Sequence, residues 1–108
     1  ASALQSLLEA GEHPMGILAM IVRQFRLLIQ VKELRQAGED ASSVARALGI
    51  HPYPARKLFT QSANFTAAQL ERIYRHLLET DAQIKGGALD ALVALDLLVA
   101  GLTSAPSP

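Results

Sequence analysis

The stretch PMGILAMIVRQFRLLIQVKELRQA, residues 14–37, decides the fold. Its apolar residues recur three and four apart, the spacing that places side chains on one side of an α-helix. Leu18, Ile21, Phe25 and Leu28 form one stripe; Ile17, Met20, Leu27, Val31 and Leu34 form a second. Two adjoining stripes make a face too wide for a surface helix, so the reading is a central helix packed by several neighbours. The remaining strip holds Arg23, Arg26, Gln30 and Glu33. Arg26 and Glu33 are too far apart to pair, and Gln30 lies between them. Two arginines and an amide beside Phe25, in a run rich in Leu and Ile, suggest a polar set offered to a partner. Pro14 suits a first helical position, where its missing N–H had no acceptor, and Gly38 is the expected stop.

Outward from this helix every periodic segment reads near 3.6, and no alternating run suggests a strand. Upstream, Leu4, Leu7 and Leu8 predict a short helix over 2–10, ended by Gly11. Downstream, residues 42–48 predict a helix with N-cap candidates from Asp40 to Ser43 and a stop at Gly49. His51-Pro52-Tyr53-Pro54 reads as a turn leading into a helix over 55–61. Thr66 with Gln69 fits a capping box and Phe65 with Leu70 a hydrophobic staple, starting a helix that runs to Lys85. Gly86-Gly87 breaks it, and a last helix covers roughly 88–100. The expectation is an all-α bundle of about five to six helices over residues 1–102, with a Ser/Pro tail over 103–108. The opening Ala-Ser-Ala, without Met, is read as the start of a fragment of a longer chain.

Composition narrows the function classes. The chain has 108 residues, half of them hydrophobic and 19% charged, which excludes a disordered charged tail. Ten basic residues balance ten acidic ones, so no global charge draws the chain to nucleic acid, although a local basic patch remains possible. Without cysteine there is no disulfide scaffold and no thiolate metal site. No apolar run is read as approaching the roughly 20 residues of a membrane span.

No catalytic, cofactor or metal site is expected. His13, His51 and His76 fall in three separate segments without metal-ligand spacing, and two of them precede a proline at a helix start. Gly86-Gly87 lacks the Lys-Ser/Thr of a phosphate loop. No serine sits in a nucleophile-elbow context. Asp81 falls on the apolar stripe of its helix, between Leu77 and Ile84, where a buried carboxylate needs a cation. Lys85 at i+4, or Arg23 or Arg26 of the central helix, are the candidates, and a half-exposed Asp81 is the alternative. Asp96 sits similarly beside Leu92, Val93 and Val99.

A competing reading concerns residues 43–61, where a helix, a Gly turn and a second helix resemble a helix-turn-helix. It would present Tyr53, Arg56, Lys57 and Gln61 to a DNA groove. Two prolines in the turn and the absent net positive charge weigh against base reading.

With these elements placed, the chain resembles the C-terminal collar domain of the bacterial DNA polymerase III clamp-loader delta subunit. The matching pieces begin with Gly11-Glu12-His13-Pro14 and Arg23-Gln24-Phe25-Arg26-Leu27-Leu28, followed by Lys32-Glu33-Leu34. Leu48-Gly49-Ile50-His51-Pro52, Lys57, Gln61 and Asp81-Ala82-Gln83-Ile84-Lys85-Gly86 complete them. The resemblance implies a helical collar whose equivalents in the other subunits join it in a ring that holds the ATPase modules together. It implies no ATP hydrolysis and no cofactor. It implies gamma/tau and delta-prime subunits as partners, and a sliding clamp reached only through an N-terminal region outside this chain. DNA contact would be indirect or weak, no membrane is implied, and the location would be the bacterial cytoplasm at the replisome. Arg23, Gln24, Phe25, Arg26, Asp81 and Lys85 are the expected structural or subunit-interface residues, in a parent that is a subunit of the DNA polymerase III holoenzyme.

Overall fold

The computed structural model describes residues 13–104, with side chains through residue 101. Among these residues there are five helices and no strand: α1 (Pro14–Gln36), α2 (Ala41–Leu48), α3 (Pro52–Ser62), α4 (Ala67–Lys85) and α5 (Ala91–Ser104). The expected helix over 2–10 lies outside the described residues, as do the last four residues of the expected tail.

The chain divides into two compact units. One comprises Val22–His76; the other comprises Ala1–Ile21 with Leu77–Pro108. Within the Val22–His76 unit, Leu28 and Val31 of α1, Val44 of α2, Leu58 of α3 and Leu70 of α4 form the buried centre. Phe25 packs its ring against Phe65 edge to face, with centroids 6.0 Å apart, a favoured aromatic geometry. In the other unit Ile17 of α1 and Leu95 of α5 are buried together, flanked by Ile21 and Val99. Leu77, Ala94 and Leu98 are buried there as well.

Local chemistry explains the element ends. Asp40 caps α2 by accepting the N–H of Ser43 at 2.8 Å. Gly49 ends the helix at φ +64°, with the N–H of Ile50 reaching back to the carbonyl of Ala45. That reversal requires a left-handed residue, and glycine adopts it without a Cβ penalty. At α4 the Thr66 hydroxyl accepts the N–H of Gln69 at 3.1 Å while the Gln69 amide oxygen accepts the N–H of Thr66 at 2.8 Å. This is the reciprocal capping box the sequence predicts.

Three expectations are corrected. Residues 52–54 are not a turn but the first turn of α3, capped by His51, whose Nδ1 accepts the N–H of Tyr53 at 3.3 Å. Prolines suit the start of a helix, because their fixed φ is helical and the first N–H groups have no intrahelical acceptor. The last helix starts at Ala91, not 88, because Asp90 caps it by accepting from Leu92 and Val93 at 3.0 and 3.1 Å. Ala88 is used to close α4, donating to the carbonyl of Gln83; α5 then continues through Ser104, into the segment expected to be tail.

The third correction concerns α1, which is long and apolar enough to cross a membrane, with a mean hydropathy of 1.3 over 18 residues. Polar residues spaced three and four apart leave the average of such a run high. Any 18-residue window of this helix contains both Arg23 and Arg26, each costing about 3 kcal/mol at a bilayer centre. The helix buries Ile17, Leu18, Leu28 and Val31 in protein, which is the role of a core helix.

Candidate functional site

A cleft of about 530 Å³ opens within the Val22–His76 unit. Arg23, Gln24 and Leu27 line it from α1, His51 from the turn before α3, and Lys57 and Gln61 from α3. The Gln24 side chain donates to the Gln61 amide oxygen at 3.3 Å. Lys57 holds its ammonium 5.2 Å from the centre of the Tyr53 ring, within cation–π range. No acidic residue lines the cleft. Its chemistry is that of recognition: Arg23 and Lys57 with the amides of Gln24 and Gln61, beside Leu27, Ile50 and Leu58, a set suited to a carboxylate-bearing surface.

The cleft gathers residues from both sequence readings. Arg23 and Gln24 come from the central helix; Lys57 and Gln61 come from the proposed DNA-reading helix. That merger argues against groove reading, since the Gln61 side chain is engaged with α1 and Lys57 lies over Tyr53. Tyr53 and Arg56 are exposed. Arg26 is also exposed, whereas Phe25 is half-buried in the core.

Asp81 and Lys85 form an ion pair at 2.8 Å within α4. Their side chains are 26% and 67% exposed, so Asp81 has the Lys85 partner expected of a buried carboxylate and an exposure between the two sequence alternatives. Asp81 takes its cation from its own helix at i+4.

Outside the cleft lining, Lys32 and Arg35 tie α1 to α3. Lys32 donates to the carbonyl of Ser62 at 3.1 Å, and Arg35 donates through Nη1 to the carbonyl of Phe59 at 2.7 Å. The Arg35 guanidinium also lies 4.5 Å from the centre of the Phe59 ring. The buried Ser62 hydroxyl donates to the same Phe59 carbonyl at 2.7 Å. The last four carbonyls of a helix lack intrahelical donors, and α3 has no basic residue in its last turn and no left-handed glycine after it. The N–H groups of Ala63, Asn64 and Phe65 serve the carbonyls of Thr60, Gln61 and Ser62 locally, and α1 adds Arg35 at Phe59 and Lys32 as a second donor at Ser62.

Charge is unevenly placed. Nine of the ten Lys and Arg residues but four of the ten Asp and Glu residues fall in Val22–His76, giving that unit +5. The other unit, with one basic and six acidic residues, carries −5. The neutral total therefore conceals two oppositely charged parts. Among the described residues no group of three or more His, Asp or Glu side chains could hold a metal ion.

The family described as DNA polymerase III delta subunit, C-terminal domain, matches residues 1–102. The DNA polymerase III subunit delta of Bacillus subtilis (strain 168) is 31% identical over 93 residues, covering 86% of this chain and 27% of that protein. The solved structure of the Bacillus subtilis DNA clamp loader delta protein superposes with a TM-score of 0.86 at 30% identity, over 92% of this chain and 29% of that one. The chain thus spans less than a third of the length of these relatives. With nearly its whole length matched by the family and its helices superposing on those of a solved member, the chain belongs to the family formed by the C-terminal domains of DNA polymerase III delta subunits.

Proposed function

We propose that the chain is a non-catalytic assembly domain through which a delta subunit joins the other clamp-loader subunits during DNA replication in the bacterial cytoplasm. The observation that carries the reading is the family match over residues 1–102. The surface supports it. The cleft offers Arg23 and Lys57 with no acidic residue among its lining, and α5 exposes large apolar side chains. Both features suit contact with protein.

The partners are gamma/tau and delta-prime subunits, met through their own collar domains, and Arg23, Gln24 and Arg26 lie on the contacting side. The sliding clamp is engaged by a part of the delta subunit that this chain does not contain. The helix-turn-helix alternative is set aside, because the family relationship supports an assembly role and because Lys57 and Gln61 are turned to α1 and Tyr53. Native mass spectrometry of the full-length subunit mixed with gamma/tau and delta-prime is the test. A stoichiometric complex, weakened by Arg23→Glu with Arg26→Glu, is the expected result. Absence of any complex at micromolar concentration would overturn the reading.

A further inference from the structure

The outer face of α5 is exposed to solvent. Leu92, Val93 and Leu97 are 46%, 52% and 65% exposed. Helical spacing puts them, with Asp96 and Ala100, opposite the buried Ala94, Leu95 and Leu98. A helix apolar on both sides is normally covered on both sides. The apolar run Ala91–Gly101 is too short to span a bilayer, and an exposed apolar patch of this kind marks a protein contact.

Charge selects the kind of partner. The unit that contains α5 carries −5, and its sole cation, Lys85, is held by Asp81. Asp96, in the middle of the apolar face, has no ion pair among the described residues. Covering that carboxylate without a cation is strongly unfavourable. The chain's own apolar segment over 2–10 cannot supply one, since it carries Glu9 and is followed by Glu12.

We propose that the α5 face docks an apolar helix face bearing Lys or Arg at its centre, supplied by a neighbouring clamp-loader subunit. This rests on the assembly reading above and deepens it by naming the surface and the chemistry of the partner.

The test uses the full-length delta subunit, titrated with gamma/tau and delta-prime, as wild type, Val93→Ser with Leu97→Ser, Asp96→Asn and Asp96→Lys. All altered side chains are exposed, so circular dichroism should be unchanged; if the serine pair perturbs it, Val93→Thr with Leu97→Gln takes its place under the same criteria. The serine pair is expected to raise the Kd roughly thirtyfold or more, as loss of a central apolar anchor does. Asp96→Lys is expected to weaken binding more than Asp96→Asn, with the difference shrinking at high salt. Amides of residues 91–101 should gain hydrogen-exchange protection only in the complex. Variant affinities within about twofold of wild type, when wild type assembles, would overturn this inference alone. So would protection of α5 already present in the isolated subunit, which would mean that the rest of its own chain, or a second copy, covers the face. Failure of the wild type to assemble would overturn this inference and the assembly reading together.

Discussion

Asp40 shows how much one side chain settles. The N–H of Ser43 donates to its carboxylate, and this hydrogen bond, helped by the Ser43 side chain and the nearby Arg46 charge, holds its pKa below the ordinary value. A folded-state pKa below the unfolded one adds stability that is fully present above the unfolded value of about 3.9 and is lost as pH falls through the folded value. Asparagine caps comparably but does not titrate. Thermal melts of wild type and Asp40→Asn should therefore converge, or cross, as the pH drops below about 4. A difference that stays constant from neutral to acid would show that the charge has no part in the cap. Asp81 behaves differently, because its partner Lys85 is largely exposed and sits on the same helix. Asp81→Ala should cost less than about 0.5 kcal/mol, the scale of an i,i+4 pair. A loss near 3 kcal/mol in denaturant titration would mean that removing it strands a buried cation.

At the scale of elements, legibility followed locality. The α4 start was readable because Phe65, Thr66, Gln69 and Leu70 act within one turn of each other. Residues 51–54 misled for a related reason, since proline signals both turns and helix starts, and only the His51 cap separates the two. The cleft was not legible, because Gln24 and Gln61 meet across 37 positions and no local rule announces such a contact. The same holds for Lys32 and Arg35, whose acceptors lie 30 and 24 residues away. Arg35→Ala should destabilise by about 2 kcal/mol, the sum of a charged hydrogen bond and a cation–π contact. Arg35→Lys should recover part of this, keeping the charge but losing the planar stacking on Phe59. Equal losses for both variants in urea unfolding would contradict the stacking contribution.

For the whole molecule, composition reported neutrality while position separates +5 from −5. Charge counted without regard to fold cannot reveal this, since the acidic share is drawn from both ends of the chain. If assembly uses these two charged parts, the association rate with other subunits should fall between about 0.1 M and about 1 M salt, where the Debye length shrinks from about 10 to about 3 Å. A rate indifferent to salt in stopped-flow mixing would indicate purely apolar docking. The resemblance carried by Arg23-Gln24-Phe25-Arg26 and Asp81-Ala82-Gln83-Ile84-Lys85-Gly86 led to the correct family although those residues divide their roles. Phe25 builds the core, Asp81 and Lys85 pair on one helix, and Arg23 and Arg26 stay on the surface.

The contacts of α1 with the end of α3 also bear on the order in which the chain folds. The α2–α3 hairpin is joined by the Gly49 turn and can close with little loss of chain entropy. The Lys32 and Arg35 side chains must be brought to the Ser62 and Phe59 carbonyls across some two dozen residues or more. The hairpin is therefore expected to form early, and the Arg35 contact on the late, native side of the barrier. Arg35→Ala should then accelerate unfolding far more than it slows folding. The clamp of α1 on α3 thus acts as a latch on the lifetime of the folded state, more than as a guide to reaching it.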